Sequence, residues 1–202
     1  MSDYLHTYFI MGSQNCKKDP VETLRRAIRG GITAFQFREK GEGSLMGAEK
    51  VKLGHRLREV CHEHEIPFFV NDDIELAREW KADGVHIGQE DTEIEKVRDR
   101  FPALIIGLSV STPEELEQSR YELADYLGVG PVFKTSSKQD AKDVIGIEGL
   151  RTIQNKAGLP VVAIGGIHEG NVQKVRETGA GVSVISAIAS NEDPFSGVQR
   201  LL

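Results

Sequence analysis

The chain has 202 residues, of which 39% are hydrophobic and 28% are charged, as in folded globular domains and unlike disordered chains. Its formal net charge of −6 disfavours a general binder of nucleic acid or anionic membranes, although a local anion site stays compatible with it. There is no apolar run near the ~18 residues of a membrane span, no signal-peptide pattern, and too few cysteines for a disulfide framework. We therefore expect a cytoplasmic protein whose partners are neither nucleic acid nor membrane.

Eight short apolar runs rich in β-branched and aromatic residues alternate with eight amphipathic stretches. The predicted strands are residues 8–11, 34–37, 67–70, 84–87, 104–108, 126–129, 161–164 and 182–185. The predicted helices are residues 21–29, 48–64, 74–80, 93–100, 113–122, 147–156, 172–178 and a last one from residue 194.

The predicted strands are apolar at both odd and even positions, which is typical of a parallel sheet buried on both faces. Eight strand and helix pairs in about 200 residues indicate a single-domain α/β protein, a (β/α)8 TIM barrel over residues 1–202. A doubly wound open sheet is the alternative fold.

Local signals mark where several helices begin and end. Asp19 before Pro20 and Thr112 before Pro113 each combine an N-cap residue with proline at the first helical position. The glycine pair at residues 30–31, Gly158 and Gly179 each follow a predicted helix, where a left-handed C-cap is expected. Residues 131–144 form a polar connection longer than the ~2 to 6 residues usual for such loops, and we interpret it as a mobile lid.

Catalytic residues of such barrels follow the carboxyl ends of the strands. Gln36, Arg38 and Lys40 follow the second strand with a spacing of two, so their side chains point to one face of an extended segment. Two cations and an amide suit a phosphate or diphosphate. The alternative is a solvated strand end, with Glu39 paired to one of the cations.

Acidic residues follow the third and fourth strands. Asp72 and Asp91 stand at neighbouring strand ends, about 4.8 Å apart in a parallel sheet, so both carboxylates could reach one cation. Magnesium is held by one or two carboxylates together with substrate phosphates and water, and we expect one Mg2+ per site. Asp73 is placed to cap the next helix, and Asp91 has the same alternative role.

The remaining strands are followed by small residues. Ser109 follows the fifth strand, Gly165 and Gly166 follow the seventh, and Ser186 follows the eighth. Small residues after the last two strands are typical of the phosphate site of these barrels, in which backbone N–H groups bind the anion. The predicted lid contributes Thr135, Ser137 and Lys138.

Other sequence features are weaker candidates. Cys61, His62 and His64 are spaced so that they do not share one helix face, so we interpret them as a polar helix end. His86 lies inside the fourth strand and is expected to be an interior or packing residue. Neither a G-x-S-x-G nor an H-E-x-x-H pattern occurs, so the sequence does not support a hydrolase of those types.

From Tyr8 to its C-terminus the chain closely resembles the thiamine phosphate synthase family. The matching segments lie at residues 8–13, 35–40, 70–73, 82–91, 128–131, 163–167 and 184–187. The resemblance implies a TIM-barrel transferase of thiamine biosynthesis. Its expected reaction joins 4-amino-5-hydroxymethyl-2-methylpyrimidine diphosphate to a thiazole phosphate, in its carboxylated or decarboxylated form, and releases diphosphate.

The resemblance also implies roles for individual residues. Arg38, Lys40 and Lys138 would be catalytic, Asp72 and Asp91 would bind Mg2+, Ser109 would contact the pyrimidine, and Thr135 and Ser137 would meet the thiazole. The pyrimidine diphosphate would be bound by Gln36, Phe37, Arg38, Glu39, Lys40 and Asn71. The thiazole phosphate would be received by Gly166, Ile185 and Ser186.

Two alternative functions remain at the level of sequence. A related thiazole tautomerase shares the barrel, but it generally lacks the Asn71-Asp72-Asp73 segment and carries histidine at the position of Pro131. A non-catalytic barrel that binds phosphate ligands is the other alternative. The complete set of cations and carboxylates argues against it.

Overall fold

The structure is a computed structural model that describes residues 3–135, 137 and 142–202. Eight parallel strands close into a barrel in the order β1-β2-β3-β4-β5-β6-β7-β8, so the predicted TIM barrel is confirmed and the open sheet is excluded. The strands are Thr7–Met11 (β1), Ala34–Phe37 (β2), Phe68–Asn71 (β3), Gly84–Ile87 (β4), Ile105–Val110 (β5), Tyr126–Val129 (β6), Val161–Ile164 (β7) and Gly181–Val184 (β8).

Helices surround the barrel. Within the described residues they are Pro20–Gly30 (α1), Gly47–Glu63 (α2), Ile74–Glu79 (α3), Ile94–Arg100 (α4), Pro113–Gln118 (α5), Gly146–Ala157 (α6), Val172–Arg176 (α7), Ser186–Ala189 (α8) and Pro194–Gln199 (α9). Short 3-10 helices lie at Asp3–Leu5, Ser13–Asn15 and Tyr121–Leu123. No helix in the described ranges is both long enough and apolar enough to cross a membrane.

The predicted helix ends agree with the capping groups. The Asp19 carboxylate accepts hydrogen bonds from the N–H groups of Val21 and Glu22, both at 3.0 Å, and Thr112 accepts one from Glu115 N–H at 3.1 Å. Gly31 and Gly158 adopt the left-handed conformation directly after α1 and α6. The prediction for residues 113–122 was too long, since Ser119 ends α5 and a 3-10 helix follows.

Side chains alternate across the barrel wall. Phe9 and Met11 of β1 point outward into the core between strands and helices, whereas Tyr8 and Ile10 point into the barrel. The lower interior is filled by aromatic rings, with the Phe69 ring 5.4 Å from that of Tyr8 and 5.9 Å from that of Tyr126. These rings fill the amino end of the barrel, and the large cavity opens at its carboxyl end.

Candidate functional site

A cavity of about 570 Å³ opens at the carboxyl ends of the strands. Its lining includes predicted site residues from opposite sides of the barrel: Lys40, Asp91, Ser109, Thr135, Ser137, Gly166, Ile185 and Ser186. A smaller cavity of about 310 Å³ is lined by Phe37, Glu39, Lys40, Asn71 and Asp72, among others. Lys40 borders both cavities and links them.

An ion pair lies where the two cavities meet. The Lys40 ammonium donates a hydrogen bond of 2.7 Å to the Asp72 carboxylate. This hydrogen bond raises the pKa of Lys40, which therefore stays protonated. Burial raises the pKa of Asp72, Lys40 opposes that effect, and the neighbouring Asp91 carboxylate raises the pKa further. The two carboxylates are thus close enough to repel each other.

Backbone geometry holds each carboxylate in place. Asp72 has a φ of +61°, and its N–H donates to the His86 carbonyl at 2.9 Å, which bends the chain at the end of β3. Asp91 accepts a hydrogen bond of 2.6 Å from Gly88 N–H, so it folds the loop after β4. Asp73 caps α3 by accepting from Leu76 N–H at 3.1 Å, as its position predicts.

The two carboxylates suit a cation that also binds a ligand phosphate. Among the described residues, no cluster of three or more histidine, cysteine, aspartate or glutamate side chains could hold a metal by itself. A pair of carboxylates completed by substrate oxygens and water is the usual arrangement for Mg2+. Burial and the neighbouring Asp91 carboxylate both raise the pKa of Asp72, so a cation between the two carboxylates would relieve their repulsion.

The residues at the end of β2 and directly after it have different surroundings from one another. Arg38 is 8% exposed, so its side chain is largely buried directly after the end of β2. Gln36 is buried inside the barrel, where its amide nitrogen donates to the Tyr8 hydroxyl at 3.2 Å. The Phe37 ring packs against Trp80, with centroids 5.8 Å apart, so it faces the helices. Phe37 also borders the small cavity.

Glu39 anchors the loop after β2. Its carboxylate accepts from Ser13 N–H at 2.8 Å, from the Ser13 hydroxyl at 2.6 Å and from Leu45 N–H at 2.7 Å. Three donors occupy this buried carboxylate. Its direct contact with a substrate therefore remains a prediction, while its contacts in the structure orient the segment that carries Lys40.

Glycines and serines line the opposite side of the large cavity. Gly165 and Gly166 have φ values of +101° and +63°, which turn the chain sharply after β7 and leave its backbone open to the cavity. Ile185 and Ser186 begin α8, a four-residue helix that the sequence analysis did not predict. The Ser137 hydroxyl donates to the Ser186 hydroxyl at 3.1 Å, which ties this part of the predicted lid to α8.

The predicted lid is only partly described. Lys138, expected to be catalytic, lies outside the described residues. Val132 and Phe133 donate their N–H groups to the carbonyls of Ile164 and Gly165 at 2.8 and 3.0 Å, so the lid starts on the phosphate side. After the undescribed stretch, Lys142 contacts Glu115 of α5. Both ends of the segment thus border the large cavity.

Several further polar side chains lie inside the barrel, and sequence reasoning singled out one of them, His86. His86 was expected to be an interior residue, and its ring does lie inside, hydrogen bonded to Tyr126 and Ser109 at 3.1 and 2.9 Å. Tyr126 and Tyr8 are hydrogen bonded in turn. Ser183 of β8 lines the cavity, and its buried hydroxyl has no partner among the described residues. Each of these residues lies in an apolar stretch of the sequence. A polar atom at a position that points into the barrel was the one feature that could have indicated it.

Comparisons with known proteins identify the family. A family model described as thiamine monophosphate synthase matches residues 7–188. The chain belongs to the thiamine monophosphate synthase family. It is 52% identical to the thiamine-phosphate synthase of Oceanobacillus iheyensis over 199 residues, which cover 98% of this chain and 97% of that one. It is 50% identical to the enzyme of the same name from Bacillus thuringiensis, over 100% of this chain and 93% of that one.

A solved structure supports the same assignment. The thiamine phosphate pyrophosphorylase of Pyrococcus furiosus superposes with a TM-score of 0.87 at 41% identity, covering 98% of this chain and 94% of that one. The resemblance found in the sequence is therefore confirmed, as are the barrel and the expectation of a transferase. The members of the thiamine monophosphate synthase family named here are enzymes of nearly the same length as this chain.

Proposed function

We propose that the chain condenses 4-amino-5-hydroxymethyl-2-methylpyrimidine diphosphate with a thiazole phosphate to give thiamine phosphate and diphosphate. The observation that supports this proposal is that one cavity has two polar sides of different composition, each suited to an anion. Lys40, with Asp72 and Asp91 beside it, lies on one side, and Gly166 with Ser186 lies on the other. Two different phosphate-bearing substrates require two such sides.

The first side would bind the diphosphate. Lys40 would exchange its contact with Asp72 for a diphosphate oxygen, and half of its side chain is exposed, which allows that movement. Asp72 and Asp91 would then hold one Mg2+, and Asn71 would add an amide beside them. Bound there, Mg2+ would neutralise charge on the diphosphate. Arg38 would add a second cation at the same end of β2.

The second side would bind the thiazole phosphate. Gly166, Ile185 and Ser186 all line the cavity, and Gly166 and Ser186 carry no bulky side chain there, so backbone N–H groups could approach phosphate oxygens. Thr135 and Ser137 would place hydroxyl groups above the ring. Fixing this substrate by its phosphate would keep the thiazole nitrogen aimed at the neighbouring pyrimidine.

The reaction would begin with cleavage of the bond between the pyrimidine methylene carbon and the diphosphate oxygen. The electron pair leaves with diphosphate, and the ring amine stabilises the resulting carbocation. The lone pair of the thiazole nitrogen then forms the new carbon–nitrogen bond, which makes the thiazolium ring of thiamine phosphate. This sequence needs stabilisation of the leaving group by Arg38, Lys40 and Lys138, and it needs no strong general base.

We also propose that the enzyme acts in the cytoplasm. Cys16 and Cys61 are both free thiols, which suits a reducing compartment.

A synthesis assay tests the proposal. The purified chain is mixed with both substrates and Mg2+, and thiamine phosphate and diphosphate are measured together. Equal amounts of both products are expected, and none when either substrate or Mg2+ is omitted. Binding of a phosphate ligand without product would overturn the proposal in favour of a non-catalytic barrel. Conversion of the thiazole phosphate alone to an isomer would favour the tautomerase.

A further inference from the structure

The loop after β1 packs along the segment that continues β2. Arg38 N–H donates to the Met11 carbonyl at 2.9 Å, so the pairing of the two strands extends one residue beyond β2. The 3-10 helix Ser13–Asn15 then lies beside residues 38–40. Among the described residues, those that line the two cavities include none from this helix. The proposed function so far gives this loop no part.

Gln14 joins the two loops through its side-chain amide. Its Nε2 donates to the Lys40 carbonyl at 3.0 Å and to the Arg38 carbonyl at 3.3 Å. An amide nitrogen carries two hydrogens, so one side chain can bind two carbonyls at once. Because one nitrogen reaches both carbonyls, they lie on the same side of the segment. This amide bridge therefore sets the distance between them.

The neighbours of the Gln14 amide determine its orientation. If the amide were turned over, its oxygen would face two carbonyl oxygens, and both hydrogen bonds would be lost. In the observed orientation Oε1 is buried and has no hydrogen-bond partner among the described residues. A buried acceptor without a donor costs stability, so an apolar side chain of the same length would avoid that cost. The amide at residue 14 therefore points to a role other than packing.

Gly12 makes room for the amide bridge. A Cβ atom at Gly12 would lie 2.3 Å from the Arg38 carbonyl oxygen and 2.3 Å from Oε1 of Gln14. The chain at residue 12 thus passes close to both ends of the bridge, and a side chain there would push them apart. Such a close approach is a common reason for glycine at the end of a strand.

The amide bridge holds the backbone of two predicted diphosphate-binding cations, Arg38 and Lys40. The Lys40 side chain is 51% exposed, so its ammonium has room to exchange Asp72 for a ligand. The next residue, Gly41, has a φ of +100°, and a Cβ atom there would have nothing within 4 Å. The Lys40 side chain thus ends in open space, whereas its carbonyl is tied to Gln14.

Two cations at a set distance suit a diphosphate better than a monophosphate. A diphosphate has two phosphoryl groups, and each can contact one cation. If the backbone between the cations were loose, bringing both onto one ligand would cost conformational entropy, and the amide bridge removes that cost before binding. A monophosphate that contacts one cation gains little from the bridge.

We propose that Gln14 is a positioning residue that sets the distance between Arg38 and Lys40 and thereby favours a diphosphate over a monophosphate. The inference rests on the proposed function and deepens it by naming what selects the diphosphate form of the pyrimidine substrate. Gln14 acts on the ligand only through the backbone of the two cations.

The first test measures the binding of inorganic diphosphate and of inorganic phosphate by calorimetry with Mg2+ present. Gln14→Met keeps the length of the side chain and removes both donors. We expect it to weaken diphosphate binding roughly 5- to 10-fold, as the loss of about one net hydrogen bond does, and phosphate binding by less than ~2-fold. Any result in which diphosphate binding is not weakened more than phosphate binding would overturn the proposal.

Gln199→Met is the matched control. The Gln199 amide also donates to a backbone carbonyl, that of Gly30 at 2.8 Å, but it joins α9 to the end of α1 that precedes β2. The control makes the same chemical change at the opposite end of the barrel, and it should leave both anion affinities unchanged. A similar loss of diphosphate affinity in Gln199→Met would assign the effect to general stability and contradict a positioning role for Gln14.

Steady-state kinetics provide a second measurement. In Gln14→Met the KM for the pyrimidine diphosphate should rise roughly 5- to 10-fold, while the KM for the thiazole phosphate, bound on the opposite side, should stay within ~2-fold. A general defect of the barrel would raise both KM values instead. If Gln14→Met does not fold, Gln14→Asn, which keeps an amide but is one carbon shorter, takes its place, with the same expected difference between diphosphate and phosphate.

The two proposals fail separately. Anion binding needs no turnover, so a chain that makes no thiamine phosphate would overturn the proposed function while calorimetry still tests the role of Gln14. An active chain in which Gln14→Met keeps the wild-type affinities for both anions would overturn only the present inference.

Discussion

The Lys40 ammonium lies 2.7 Å from the Asp72 carboxylate, so a predicted diphosphate-binding cation and a predicted magnesium ligand neutralise each other's charge. The pair limits the repulsion between Asp72 and Asp91, and burial still keeps the pKa of Asp72 raised. Substrate binding would have to separate the pair. Asp72 would exchange Lys40 for Mg2+, so a substitution that removes the charge of Asp72 tests the proposed site most directly.

Asp72→Asn should abolish the response to Mg2+ without destabilising the fold. Asparagine tolerates the φ of +61° at this position better than alanine does. Because the pKa of Asp72 is raised by folding, its charge disfavours the folded state at neutral pH, and that effect disappears as the pH falls. We expect kcat/KM to fall by more than the ~10- to 100-fold typical of outer-shell substitutions.

The measurements are the Mg2+ dependence of product formation and the Tm at pH 7.5 without Mg2+. Asp73→Asn is the matched control, since Asp73 caps α3 and asparagine is an equally good cap. A variant at residue 72 that keeps the wild-type Mg2+ dependence would remove Asp72 from the proposed metal site.

Glu39→Gln should lower stability and weaken binding of the pyrimidine diphosphate. The carboxylate accepts three hydrogen bonds in a buried position, and in either orientation an amide would place its N–H hydrogens against at least one backbone N–H donor. Leaving such groups unpaired typically costs ~1 to 3 kcal/mol. Because Glu39 holds the segment that carries Lys40, KM should rise several-fold while kcat changes less.

Urea unfolding and steady-state kinetics measure the two effects of Glu39→Gln. Glu42→Gln, in the exposed part of the same loop, should leave both unchanged. If Glu39→Gln binds substrate normally and unfolds at the wild-type urea concentration, the anchoring role is wrong.

Most of the barrel could be predicted because strands buried on both faces are short, continuous apolar runs, which are easily seen in the sequence. Residues 34–37, 84–87, 126–129 and 161–164 were predicted with the bounds that the structure shows. The helix Ser186–Ala189 was missed because four residues are too few for a helical period to be visible.

The charged residues at the strand ends could be predicted for a simple geometric reason. Residues after parallel strands gather at one edge, which is why Asp72 and Asp91 could be paired from their positions alone. Lys40 was grouped with Arg38 instead, and its contact with Asp72 was not predicted. The bond between Tyr8 and Tyr126 joins residues 118 positions apart, and nothing local in either strand indicates the partner. Such contacts depend on how the barrel closes.

Alkaline pH should destabilise the protein partly through Cys16. Burial is the main reason that its pKa is raised to about 11 from an ordinary value of 9.0. The folded protein therefore keeps this proton at a pH where the unfolded chain releases it, so the contribution of Cys16 to stability is present below about pH 9 and declines as the pH rises toward about 11. Calorimetric Tm values across this range should fall less steeply in Cys16→Ala than in the wild-type chain. Parallel curves would show that Cys16 does not titrate as expected.

Ser183→Ala should raise the free energy of unfolding. The Ser183 hydroxyl is buried without a hydrogen-bond partner in the part of the chain that the structure describes, and the residue is 2% exposed. Burying such a group without a partner costs ~1 to 3 kcal/mol, and alanine removes the oxygen while keeping the Cβ atom in place. Urea unfolding of the ligand-free protein measures the change. The matched control is Ser119→Ala, which removes a hydroxyl that donates to the Leu116 carbonyl at 3.0 Å, so it should lower stability instead. A loss of stability in Ser183→Ala comparable to that of the control would mean that the Ser183 hydroxyl is hydrogen bonded in solution, with water in the cavity as the nearest available partner.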